Sequence, residues 1–107
     1  MSLGSGSVYI GRRTPGCGTE VWRASPAHLG RLNPRLDIAR FSRTRFDWGH
    51  RLPGSAQLAL ALLADHSDNP EWALREHGRL LNDLIVNLPY WNWVITAGDI
   101  QTAIFCI

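Results

Sequence analysis

A chain of 107 residues is of single-domain size, and 45% hydrophobic against 19% charged residues is the make-up of a globular protein, not a disordered one. No apolar run reaches the roughly 18 residues of a membrane span, and residues 1–7 lack the basic and apolar regions of a secretory signal, so a cytoplasmic protein with no membrane partner is expected. The net charge of +2 hides an asymmetry: residues 1–53 hold nine arginines against Glu20, Asp37 and Asp47, a balance of +6, while residues 54–107 hold Arg75 and Arg79 against six acids, a balance of −4.

Met1 to Ser7 is Gly/Ser-rich and reads as a flexible tail before a single domain over residues 8–107. Val8–Arg13 (VYIGRR) is β-branched and aromatic and predicts a first strand. TPGCGT makes a turn, and Glu20–Ala24 a second strand closing a hairpin. Ser25–Pro34, with two prolines and a glycine, reads as a loop. Leu36–Trp48 alternates arginines with Ile38, Phe41, Phe46 and Trp48, the pattern of one long bent strand or two short ones. Pro53-Gly54-Ser55 then opens a helix over about 56–65, with Ser55 as its N-cap. The segment ALALLA is apolar on nearly every side, so this helix belongs in the middle of a core. Asn69, Pro70 and Glu71 start a second helix running to about Asn87, with His77, Leu80, Leu81, Leu84 and Leu88 on one face. Gly78 weakens it unless close packing needs the space. Tyr90–Ile95 is a late strand. Thr96 and Asp99 form a capping-box-like start to a last helix. The order predicts an α+β domain: a small antiparallel sheet of three to four strands packed on three helices, one of them central and buried.

No catalytic or metal motif stands out. There is no HExxH, no GxSxG elbow and no Gly-rich phosphate loop, so neither an enzyme nor a cofactor is expected. His50, Asp65, His66 and Asp68 have no ligand spacing, and His66 reads as a favourable charge at a helix C-terminus. Cys17 and Cys106 read as free thiols. The features that point to a partner are the arginine–aromatic segment, with Arg40, Arg43, Arg45 and Arg51, and the Tyr90–Trp91 pair after Pro89. Arginine forks bind carboxylate and phosphate, and aromatics fill a partner's pocket or stack on bases. The same arginines fit a solvated edge in a gene that favours arginine codons. An arginine stripe of one sign would favour nucleic acid; a mixed patch with an apolar centre would favour a protein.

YIGRR near the start, FDWG at 46–49, GSAQLALALLAD at 54–65 and Leu88-Pro89 with Trp93 together resemble a family of small proteins of unknown function, DUF6166. The chain departs from it at His50-Arg51-Leu52-Pro53, where the family has small residues. The resemblance transfers no activity. Its members look like small accessory genes of phages and mobile elements, which implies a non-enzymatic protein that binds a macromolecular partner, as an inhibitor of a host defence system of the anti-CRISPR kind would. The alternative is a nucleic-acid-binding module built on the arginine-rich N-terminal half.

Overall fold

The structure is a computed structural model that describes residues 7–43 and 45–105. Four strands, β1 (Val8–Thr14), β2 (Gly18–Ser25), β3 (His28–Arg31) and β4 (Asn92–Thr96), form one antiparallel sheet in the order β3-β2-β1-β4. Three helices complete it: α1 (Pro53–Ser67), α2 (Pro70–Asp83) and α3 (Ala97–Phe105). The α+β reading therefore holds, with four strands and three helices. Ser7 is buried and its Oγ accepts from Arg23 Nη2 at 3.3 Å; residues 1–6 lie outside the described residues.

The hairpin β1–β2 turns on Gly16 and Gly18, both in the left-handed region that glycine tolerates. The register pairs Tyr9 with Arg23 and Ile95, and Gly11 with Val21 and Trp93, which puts Tyr9, Gly11, Val21, Trp93 and Ile95 on the core face. Gly11 is required there. A Cβ would stand 2.1 Å from Trp93 Cε2, so the indole lies directly on bare backbone and meets the Trp48 ring edge-on at 5.2 Å.

Helix α1 is buried at every position from Gln57 to Ala64. The sheet reaches it at Asp65, whose Oδ2 accepts from Tyr9 Oη at 2.6 Å and from Arg23 Nε at 2.7 Å. Burial, with the Asp65 carboxylate beside it, pushes the Tyr9 phenol well above its ordinary range. Helix α2 packs alongside α1 and α3. Its start follows the sequence: Asn69 Oδ1 accepts from Trp72 N at 3.1 Å, with Pro70 and Glu71 in the first turn. Thr96 and Asp99 exchange their capping-box bonds at 3.1 and 2.9 Å. A Cβ on Gly78 would meet nothing within 4 Å, so packing does not need that glycine.

Four expectations are corrected. Residues 28–31 form a strand inside the stretch read as a loop, because Pro26 and Ala27 make only a two-residue turn between β2 and β3. Described residues 36–48 contain no strand. Their backbone is held by Gln57 of α1 instead of a ladder: Oε1 accepts from Phe41 N at 2.7 Å and Ser42 N at 3.1 Å, and Nε2 donates to Pro34 O and Ala39 O at 2.6 and 3.1 Å. Helix α1 starts at Pro53 with Leu52 as N-cap, so Ser55 lies within its first turn and does not cap it. Helix α2 ends at Asp83, and Ile85–Asn87 is a separate 3₁₀ turn.

Candidate functional site

Of the six residues singled out in the sequence, the structure brings three together. Arg45, Tyr90 and Trp91 line one open depression with Arg13 and the β1–β2 turn, including the exposed Cys17. Arg43 and Arg45 line an adjoining one between β2, β3 and the irregular segment. Arg40, Arg43 and Arg45 are exposed, as predicted, while Phe41 and Phe46 pack against the core. Arg40 lines neither depression. Arg51 points elsewhere: its Nε donates to Asn82 Oδ1 of α2 at 2.8 Å. Cys106 lies outside the described residues.

Tyr90 and Trp91 are 60% and 51% exposed, large values for aromatics set edge to face at 4.8 Å. What holds them is Arg13, which the sequence places only among the arginines of the N-terminal half. Its Nε donates to Tyr90 O at 2.8 Å, and the Trp48 indole N–H donates to the same carbonyl at 3.0 Å. The guanidinium lies 4.1 Å from the Tyr90 ring centre and 4.9 Å from that of Trp48. Its Nη2 donates to Asp47 Oδ1 at 2.7 Å. Tyr90 is therefore exposed yet held at both its carbonyl and its ring, and Trp91 rests edge-on against it. The second arginine of YIGRR is the one signal that could have found this anchor, since on a strand it shares Tyr9's core face.

Asp47 continues into a chain of polar groups. Its Oδ2 lies 3.0 Å from His50 Nε2, and His50 Nδ1 lies 3.0 Å from Ser55 Oγ while also accepting from Leu52 N. An acid, an imidazole and a hydroxyl in line suggest nucleophilic catalysis. Ser55, however, is 0% exposed. Its Oγ is taken up by His50, and the chain instead secures the turn that leads into α1. Among the described residues no group of three or more His, Cys, Asp and Glu side chains is placed to hold a metal ion, and no helix is long and apolar enough to cross a membrane.

His66 corrects one more reading. Burial lowers its pKa below the ordinary 6.5 and outweighs the Asp65 carboxylate, and its buried Nδ1 has no partner among the described residues, so the neutral ring is favoured over a charge at the end of α1. For Asp47, burial alone would raise the pKa, but the bonds from Arg13, Trp48 N–H and His50 outweigh it and hold the group below 3.8. Both folded values are depressed, so both groups contribute stability that is present above their ordinary values and lost as pH falls through the folded ones. The Tm is expected to fall in two stages, the first below about pH 6.5 and the second below about pH 3.8. Melts of the parent and of His66→Gln across that range check this; a first stage that survives the substitution would contradict it.

The sequence model of a family of unknown function (DUF6166) matches residues 9–105. No curated protein and no solved structure matches the chain.

Proposed function

The chain belongs to the DUF6166 family of unknown function, and on that premise we propose that it works without chemistry of its own, by binding a protein partner through the surface of Tyr90, Trp91, Arg45 and Arg13. The observation that carries this is the fixed exposure of the Tyr90–Trp91 pair, clamped at its carbonyl by Arg13 and Trp48. Exposed aromatics flanked by arginine are the commonest composition of binding hot spots. Side chains already held in place lose little freedom on binding, which favours affinity. The patch has an apolar centre with charges of both signs around it, since Asp47 is joined to Arg13, and such a mixture suits a protein better than a polyanion. For a small accessory protein of a phage or mobile element, the partner class is a host defence complex in the cytoplasm, and the role is inhibition of the anti-CRISPR kind.

Three experiments test this. In a plaque assay on a host with an active CRISPR system, expression of the parent should restore phage plating and the Tyr90→Ala/Trp91→Ala variant should not; no restoration by the parent removes the inhibitor role. A pull-down from host lysate should recover a partner that the double variant loses. The Arg40→Ala/Arg43→Ala/Arg45→Ala variant should melt within a few degrees of the parent, because exposed arginines contribute about 0–1 kcal/mol each, yet bind less. If stability collapses, those arginines are structural; if binding is untouched, the interface lies away from them.

A second reading rests on Arg43 and Arg45, which make no ion pair among the described residues. Free guanidinium groups suit phosphates, and binding of a nucleic acid through them would weaken steeply as salt rises. Mobility shifts with single- and double-stranded DNA and RNA decide it: no shift at low salt removes this reading.

A further inference from the structure

The depression between β2, β3 and the irregular segment lies beside the Tyr90 surface and has a different character. It is about 280 Å³ in volume, just under the span of small-molecule sites, roughly 300–1,000 Å³. Its floor is Val21, Leu32 and Gln57, 2%, 4% and 1% exposed. Gln57 has already committed both ends of its amide to the backbone of residues 34–42. The floor therefore presents apolar surface and no free donor, with the half-buried Phe46 ring as a wall. A flat ring suits such a space.

The rim is charged. Glu20 is neutralised by Arg31 at 3.2 Å, and its other oxygen accepts from Trp22 Nε1 at 3.2 Å. Arg43 and Arg45 remain without a carboxylate among the described residues. Their two positive charges match a phosphomonoester, which carries about −1.5 to −2 near pH 7, and arginine forks match its oxygens two at a time. The hydroxyls of Thr19 and Ser42, which also line the depression, spend their protons on Phe46 O and Arg45 O, so all they have left to offer a ligand is acceptor capacity for its hydroxyl or amino groups.

We infer that this depression binds a mononucleotide-sized organic phosphate, with the phosphomonoester between Arg43 and Arg45 and a flat ring against Phe46, Val21 and Leu32. The same chemistry is presented by a free nucleoside monophosphate and by the 5′-phosphorylated end of a single-stranded nucleic acid. The site shares Arg45 with the Tyr90 surface, and Arg43, which lies outside that surface, is the residue that tells the two apart.

The test is a nitrogen-15 NMR titration of the full chain with AMP, adenosine, inorganic phosphate, and a short oligonucleotide with or without a 5′-phosphate. AMP should shift the amides of Val21, Leu32 and Phe46 in a saturable way. Adenosine and phosphate should each bind about tenfold or more weakly, since each keeps only part of the contacts. Arg43→Ala and Arg43→Gln should both weaken AMP by about tenfold with an unchanged melt. Tighter binding of the 5′-phosphorylated strand than of AMP assigns the source as a strand end; weaker binding assigns it as a free nucleotide. Shifts that fail to saturate at those amides with AMP and with the phosphorylated strand alike, or AMP affinity untouched in both Arg43 variants, would overturn the inference.

Discussion

Replacing Gln57 with leucine is expected to be among the most damaging single changes available to this chain. The side chain is buried, and its four hydrogen bonds go to two backbone N–H groups and two carbonyls of residues 34–42. Leucine fills a similar volume and satisfies none of them. Each buried polar group left without a partner costs about 1–3 kcal/mol, so the total loss is about 3–6 kcal/mol after partial rehydration. For a domain of this size that is a fall in Tm on the order of 15 °C. Limited proteolysis should begin to cut within residues 34–43. Gln57→Glu should fall between, because a carboxylate still accepts from Phe41 and Ser42 but faces the carbonyls of Pro34 and Ala39 with no proton to give. A leucine variant that melts within a few degrees of the parent would show that the segment is held by other means.

The second large effect is expected at Leu62. Leu58, Leu62 and Leu63 are all 0% exposed within α1, and the helix is enclosed on every side, so little can collapse into the space that a lost side chain leaves. Leu62→Ala should cost about 2–5 kcal/mol through lost burial and the residual cavity. Leu52→Ala, at a position 63% exposed, serves as the comparison and should cost next to nothing. Chemical denaturation of the pair measures the difference directly, and two equal midpoints would remove α1 from the centre of the core.

The sequence is legible where one signal dominates. The all-round apolar character of α1, the Asn69 cap and the Thr96–Asp99 box each act over a few residues and each appear in the structure. Residues 36–48 mislead because alternating arginines and aromatics imitate a strand, while the true partner of that backbone is a single glutamine side chain on a later helix. Strand β3 is hidden because two prolines and a glycine in ten residues suggest a loop, although Pro26 occupies the turn, Gly30 the strand, and Pro34 lies beyond it. The candidate surface is legible by part. The exposure of Arg43, Arg45, Tyr90 and Trp91 follows from composition and turns. The meeting of Arg45 with Tyr90 and Trp91 does not, because it arises when β1 and β4 pair from opposite ends of the chain. Arg51 illustrates the converse: it sits in the same run of arginines, yet a hydrogen bond to Asn82 directs it to α2.

The strand order β3-β2-β1-β4 also sets a schedule for biosynthesis. Strand β1 leaves the ribosome before β2 and β3, which follow at once, so one side of β1 is occupied early. Its other side stays open until β4 emerges, after both α1 and α2 have been made. Through that interval the nascent chain presents an unpaired edge, which is the kind of template that recruits neighbouring polypeptides. The glycine surface reserved for Trp93 is bare over the same period. How long this protein is exposed to misassembly is thus governed by the elongation rate between β3 and β4, and a message that pauses there would prolong the hazard without changing a single amino acid.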